Sequence, residues 1–147
     1  MRRATVKRMT RETNVTVTLG LEGRSAVSVR TGIPFLDHML TLFGTHGAFG
    51  LSVRATGDIE VDVHHTNEDV GLVLGQAFSQ AVGEARGIRR FGWAYVPMEE
   101  ALVRVALDVS GRPKLVIRDQ RIQKTPLRGS GTSYQWEDLE HWLESFV

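Results

Sequence analysis

Histidine and carboxylate side chains crowd one short stretch, Asp62-Val63-His64-His65-Thr66-Asn67-Glu68-Asp69, and four of the five histidines lie between positions 38 and 65. His65 and Glu68 are three residues apart and His64 and Glu68 four. A helix beginning here would aim imidazole and carboxylate at one point, or at two neighbouring metal ions. Adjacent histidines at a strand-to-helix switch need not share a face, so one ring can serve one ion and its neighbour a second. The alternative is a capped helix start, in which Glu68 and Asp69 sit favourably at the positive end of the helix dipole and the histidines are merely exposed. Imidazole and carboxylate together suit Zn, Fe, Mn or Co, and ligand type alone does not choose among them. The chain has no cysteine, which excludes a disulfide framework, a thiolate nucleophile and any Cys-containing metal site.

His38, in Phe35-Leu36-Asp37-His38-Met39-Leu40, reads either as a half-buried core histidine satisfied by Asp37 or a carbonyl, or as a further ligand. The nearby His64-His65 pair, and the similar surroundings of His141, favour ligation. Asp37 and Glu140 precede these histidines and are either partners that orient a ring or solvated helix charges. His46, in Thr45-His46-Gly47, either touches substrate or faces solvent. Arg89-Arg90 and Arg112 are candidate anion grips, because a guanidinium presents a rigid fork that matches phosphate oxygens; singly, such residues are more often surface arginines. No Gly-rich nucleotide loop and no Gly-x-Ser-x-Gly is present, so ATP-dependent and serine-hydrolase readings have nothing to rest on.

The elements that must hold these groups are written in the apolar spacing. Val15, Val17, Leu19 and Leu21 alternate with polar residues as a one-face-buried strand, Glu22-Gly23-Arg24 turns the chain, and Val27 and Val29 follow as a hairpin partner. Pro34 opens a short helix over Phe35 to Phe43, and Gly44 ends it. Strand returns with Leu51, Val53 and Ala55, turns at Thr56-Gly57-Asp58, and resumes through Ile59, Val61 and Val63 into His64-His65. Thr66 or Asn67 caps a helix whose Val70, Leu74, Ala77, Phe78, Ala81 and Ala85 recur on one face until Gly87.

The pattern then restarts. At an offset of 88, Val15, Val17, Leu19 and Leu21 fall on Val103, Val105, Leu107 and Val109, and Gly23-Arg24 falls on Gly111-Arg112. Beyond the irregular stretch 119–133 the offset becomes 103, and Leu36-Asp37-His38-Met39-Leu40 lies on Leu139-Glu140-His141-Trp142-Leu143. An internal duplication is expected, residues 1–92 forming the first half and 93–147 the second, each a small sheet backed by helices in an α+β arrangement. A counterpart of His64 would fall beyond residue 147, so the second half is expected to be incomplete at its C terminus.

At 147 residues the chain fits one compact unit or two packed halves. Lys plus Arg is 18 and Asp plus Glu 17, and a balance of +1 supplies no broad field for nucleic acid or an anionic membrane, so neither is expected as a partner. Apolar residues at 41% and charged residues at 24% place it among folded globular proteins. The basic start is not followed by an apolar segment, and no stretch approaches the ~18 apolar residues that span a bilayer; a cytoplasmic protein is expected.

Six segments together resemble one family: Phe35-Leu36-Asp37-His38-Met39-Leu40, Thr45-His46-Gly47, Asp62-Val63-His64-His65-Thr66-Asn67-Glu68-Asp69-Val70-Gly71, Gly87-Ile88-Arg89-Arg90-Phe91-Gly92, Val96-Pro97-Met98-Glu99-Glu100-Ala101-Leu102 and Asp108-Val109-Ser110-Gly111-Arg112-Pro113. They occur in order over nearly the whole chain, and the chain is similar to the imidazoleglycerol-phosphate dehydratases of histidine biosynthesis. The resemblance implies a lyase that removes water from D-erythro-imidazole glycerol phosphate to give imidazole acetol phosphate, through a metal-stabilised imidazolate-like intermediate. It implies two manganese ions per site, halves like the second domain of ribosomal protein S5, and a large homo-oligomer, roughly a 24-mer with a trimer as its metal-free form. It implies His38, His64, His65, Glu68 and His141 as metal ligands, Glu12 and Glu68 as acid/base carboxylates, and Glu12, His38, His46, Arg90 and Arg112 as substrate contacts, the arginines on the phosphate.

The chain departs from the family in one respect. The family carries a second His-His-x-x-Glu motif and then a lysine-containing substrate segment, and this sequence reaches Ser145-Phe146-Val147 before both. A C-terminally shortened member is therefore expected, and the alternative to a working dehydratase is a catalytically impaired metal-binding or assembly form of the same fold. An RNA-binding module, suggested by S5-like topology, is disfavoured by the charge balance.

Overall fold

The computed structural model describes residues 2–23, 26–118 and 134–147. The alternation around Val15 is realised in β2 (Thr13–Gly20), whose Val15, Val17 and Leu19 are fully buried. It lies inside a four-stranded sheet of order β1-β2-β4-β3, with β1 (Arg3–Met9), β3 (Val27–Arg30) and β4 (Gly50–Gly57). The hairpin expected between β2 and the Val27-Val29 segment does not form: β3 runs parallel to β4, pairing Val27 with Leu51 and Val29 with Val53. The helix between them, α1 (Pro34–His46), supplies the crossover that a parallel pair requires. Alternation states which face a strand buries, and leaves its neighbour to the connection. Arg24 of the predicted turn lies outside the described residues, as does the stretch 119–133.

Helix α1 runs through Gly44 instead of stopping there, because the missing side chain lets it settle on β3; a Cβ would lie 3.0 Å from both Val27 methyls. Its start is fixed by Asp37, which accepts from the Thr31 backbone N–H and hydroxyl, each at 2.7 Å. The strand expected over 59–63 is a turn closed by Val61 N–H to the Asp58 carbonyl at 2.8 Å, with Val61 75% exposed. Helix α2 (His64–Val82) therefore begins at His64, whose N–H donates to the Asp62 carboxylate at 3.0 Å, and Thr66 and Asn67 are buried within it instead of capping it. It ends at Gly83, where φ is +61°, four residues before the expected stop.

Helix α2 lays Val70, Val73, Leu74 and Ala77 on β1, β2 and β4, α1 covers β3, and α3 (Trp136–Phe146) packs on α2. Tyr134 and Trp142 thus join the same core as Val15 and Val53. Strands β5 (Phe91–Met98) and β6 (Ala101–Asp108) form a separate antiparallel pair. Its register matches that of the first hairpin at an offset of 88: Val6 faces Val17 as Ala94 faces Val105, and Arg3 faces Gly20 as Phe91 faces Asp108. Among the described residues no other element packs extensively on this pair, and Trp93 and Tyr95 on one face and Val103 on the other are each more than half exposed. The architecture is mixed α+β, small sheets with three helices among the described residues. Among the described residues no helix is long and apolar enough to cross a membrane.

Candidate metal centre

The first turn of α2 places His64 and Glu68 on one stripe, their Nε2 and Oε2 atoms 3.7 Å apart. Helix α3 brings the third member, His141, with Nε2 3.5 Å from the same carboxylate oxygen. One ligand atom from each of the three lies within 4.8 Å of the others, and the His64 and His141 rings stack at 4.3 Å. Nε2 of His141 is buried and has no hydrogen-bond partner among the described residues. A polar atom withdrawn from water and left unpaired costs about 1–3 kcal/mol, which a coordinated cation would offset. Two imidazoles and a carboxylate are a normal donor set for a first-row divalent ion, so the residues fit one.

Long-range contacts deliver His141. Tyr134 donates its hydroxyl to Asn67 Oδ1 at 2.7 Å, and Asn67 returns an Nδ2–H to the Asp138 carbonyl at 2.7 Å, fastening the start of α3 to the first turn of α2. Burial pushes the Tyr134 hydroxyl well above the usual phenol range, with the Asp138 charge adding to the effect. Gly71 then allows close approach, since a Cβ there would lie 2.9 Å from the Trp142 carbonyl.

His65 points elsewhere. Its Nδ1 lies 3.1 Å from the Asp58 carboxylate and 3.9 Å from Glu12 Oε2. The Asp58 hydrogen bond raises its pKa above the ordinary 6.5, the charges of Glu12, Asp58 and Asp62 add to this, and desolvation opposes it. A proton held on Nδ1 by Asp58 leaves the Nε2 lone pair outward, the usual way a carboxylate orients a ligand imidazole. Spacing did not single out Asp58; a carboxylate in the turn ahead of a His-His pair was the available signal.

Glu12 is exposed in the loop between β1 and β2, its N–H held by Thr10 Oγ1 at 3.1 Å. His38 is exposed on α1, outside the His64–Glu68–His141 cluster, and has no hydrogen bond or ion pair with a described residue. His46 is exposed at the last position of α1. Asp37 orients no ring, being engaged by Thr31. Arg90 is bound in a fork by Asp108, at 2.6 and 3.0 Å, and lies over the Phe91 ring at 5.1 Å. That hydrogen bond holds Asp108 below the usual carboxylate range, with the charges of Arg90 and Arg112 assisting. Arg90 thus pairs with a carboxylate of the second hairpin whose pKa the Arg112 charge also lowers, and among the described residues neither arginine hydrogen-bonds to or ion-pairs with Glu12 or His46.

Comparison with known proteins identifies the family. Residues 31–147 match the family model described as imidazoleglycerol-phosphate dehydratase. An imidazoleglycerol-phosphate dehydratase of Thermoanaerobacter pseudethanolicus is 50% identical over 148 residues, covering 100% of this chain and 73% of that protein. One from Mycobacterium sp. (strain KMS) is 50% identical over 149 residues, covering 99% and 71%. The crystal structure of the Staphylococcus aureus enzyme is similar with a TM-score of 0.81 and 30% identity, over 99% of this chain and 77% of that one. A structure from Pyrococcus furiosus is similar with a TM-score of 0.68 and 29% identity, over 96% and 72%.

Proposed function

The chain belongs to the imidazoleglycerol-phosphate dehydratase family, and from that premise we propose that it dehydrates D-erythro-imidazole glycerol phosphate to imidazole acetol phosphate, in the cytoplasm, for histidine biosynthesis. The observation that carries the reading is the convergence of His64, Glu68 and His141 around a buried, unpartnered imidazole nitrogen. A divalent ion, manganese in this reading, would be held by these three and would supply Lewis acidity toward the substrate imidazole. His65, oriented by Asp58, and His38 are assigned to a second ion of the same assembled site.

The hydroxyl to be lost stands on the carbon bonded to the imidazole ring and the proton to be removed on the next carbon, so that the enol left behind becomes the ketone of imidazole acetol phosphate; that proton is weakly acidic on its own. Glu12, exposed and 3.9 Å from His65, takes that proton, and the departing hydroxyl leaves with a proton as water. Glu68 is the second carboxylate able to share proton transfer when it is not ligating. Asp108 occupies Nε and one terminal nitrogen of Arg90, leaving the other terminal nitrogen to an anion, so Arg90 with Arg112 would grip the phosphate. His46 is assigned to the substrate's contact segment. Because the arginines flank the β5–β6 pair and the ligands stand on α2 and α3, the reading includes a homo-oligomer in which one copy completes another's site. It also includes the S5-like duplication, with halves 1–92 and 93–147, which the common register of the two hairpins supports.

A metal-binding form impaired in turnover is the second reading of the same residues. The test is direct: supply imidazole glycerol phosphate with saturating Mn(II) and follow imidazole acetol phosphate, alongside a metal titration. Turnover lost in Glu12→Gln supports the dehydratase, and metal uptake without turnover supports the impaired form.

A further inference from the structure

Asp69 is the one charged side chain that is buried among the described residues, 6% exposed, and it stands next to Glu68 on α2. Successive helix residues point about 100° apart, so Glu68 faces His141 while Asp69 turns toward the sheet. There it accepts Arg8 Nε–H at 2.6 Å on one oxygen and the Thr13 hydroxyl on the other. Thr13 and Arg8 flank the loop that carries Glu12. Inside that loop Thr10 Oγ1 accepts from the N–H groups of Glu12 at 3.1 Å and Thr13 at 3.0 Å, and Thr10 N–H donates to the Thr13 carbonyl at 2.9 Å. Gly57 admits the loop against β4, since a Cβ there would lie 3.3 Å from the Glu12 carbonyl.

We propose that Asp69 is a positioning residue: its buried carboxylate locks the β1–β2 loop to the N-terminal end of α2, fixing the Glu12 carboxylate relative to His65 and the metal-type cluster. The proposal rests on the reading of Glu12 as the proton-handling carboxylate. The Arg8–Asp69 pair joins an exposed arginine to a buried carboxylate, so it contributes little net stability, and what it can supply is a fixed register between the elements it joins. Misplacing a catalytic group by about 1 Å from a distant substitution can cost roughly 100-fold in rate. Asp69 touches no reacting atom in this scheme; it acts through Glu12.

Two readouts test this. The chain has no cysteine, so Arg11→Cys and Gln80→Cys can carry nitroxide labels, one on the loop and one about 24 Å along α2 at 1.5 Å per residue. Asp69→Asn should broaden the label-to-label distance distribution, and Thr13→Val, which removes only the hydroxyl, should broaden it in the same sense should the buried Asn variant fold poorly. In the dehydratase assay Asp69→Asn should lower kcat about 10–100-fold with KM nearly unchanged, and should cost almost nothing further in a Glu12→Gln background. An unchanged distance distribution in both variants overturns the proposal whatever the activity does. Losses that simply add in the Glu12→Gln background overturn it too, because Asp69 would then act elsewhere. Wild-type turnover in Glu12→Gln, or none in the unsubstituted chain, overturns the dehydratase reading of Glu12, and the label distances then decide the loop lock by themselves.

Discussion

Nε2 of His141, buried 3.5 Å from the Glu68 carboxylate and without a hydrogen-bond partner among the described residues, is the residue-scale reason to expect a cation at the junction of α2 and α3. Removing one of three ligands should weaken Co(II) or Mn(II) uptake by His141→Ala at least about tenfold, read by Co(II) absorption titration; second-ligand-sphere losses alone typically reach 10–100-fold. A second expectation concerns pH. In the metal-free chain the Asp58 pair favours protonated His65, so its stabilisation is fully present below the ordinary value of 6.5 and fades as pH rises through the raised one. Asp58→Asn should bring the His65 ring titration, followed by NMR, back down toward 6.5, and an unmoved midpoint would refute the pairing. Type and spacing singled out His64, His65 and Glu68, and context singled out His141; of these the structure brings His64, Glu68 and His141 together. Glu12 entered through family resemblance alone, because its approach to His65 depends on Arg8, Thr13 and Asp69 meeting across 56 residues or more of sequence. Spacing carries no record of such contacts.

At the scale of elements, the helices were legible and the strand neighbours were not. The 3.6-residue recurrence of Val70, Leu74 and Ala77 marked α2, and the alternation of Val15, Val17 and Leu19 marked β2. Strand β1 escaped because only Ala4 and Val6 are buried in a basic segment, and Ile59-Val61-Val63 imitated a strand because alternation cannot tell an exposed turn from a buried edge. The α2–α3 contact was also hidden, since it depends on Gly71 and Gly75 being small where the two helices meet. Gly71→Ala would gain up to about 1 kcal/mol of helix propensity in isolation. A Cβ 2.9 Å from the Trp142 carbonyl must instead push α3 outward, so the variant should melt lower and bind metal more weakly, in parallel, by circular dichroism and metal titration. Tyr134→Phe removes the hydroxyl that satisfies buried Asn67 and should cost about 1–3 kcal/mol by denaturant titration.

At the scale of the molecule, the two hairpins share a register yet differ in cover. The face of β1–β2 that α2 buries, with Val6, Val15, Val17 and Leu19, corresponds to Ala94, Val103, Val105 and Leu107 of β5–β6, which α2 leaves open. Two strands alone are marginal in water, and exposed apolar faces of this kind seek a partner. Light scattering should show self-association that strengthens with protein concentration, and a strictly monomeric species across the accessible range would count against it. The likeness of the two faces also acts earlier in the life of the chain. During folding α2 would be offered two templates of the same relief, and a molecule in which it settled on the second would have to back out before the native sheet could close. Val105→Lys, which spoils the second template and touches nothing in the first, should therefore raise the refolding yield from denaturant and shorten its slowest phase, while Val17→Lys should abolish folding outright.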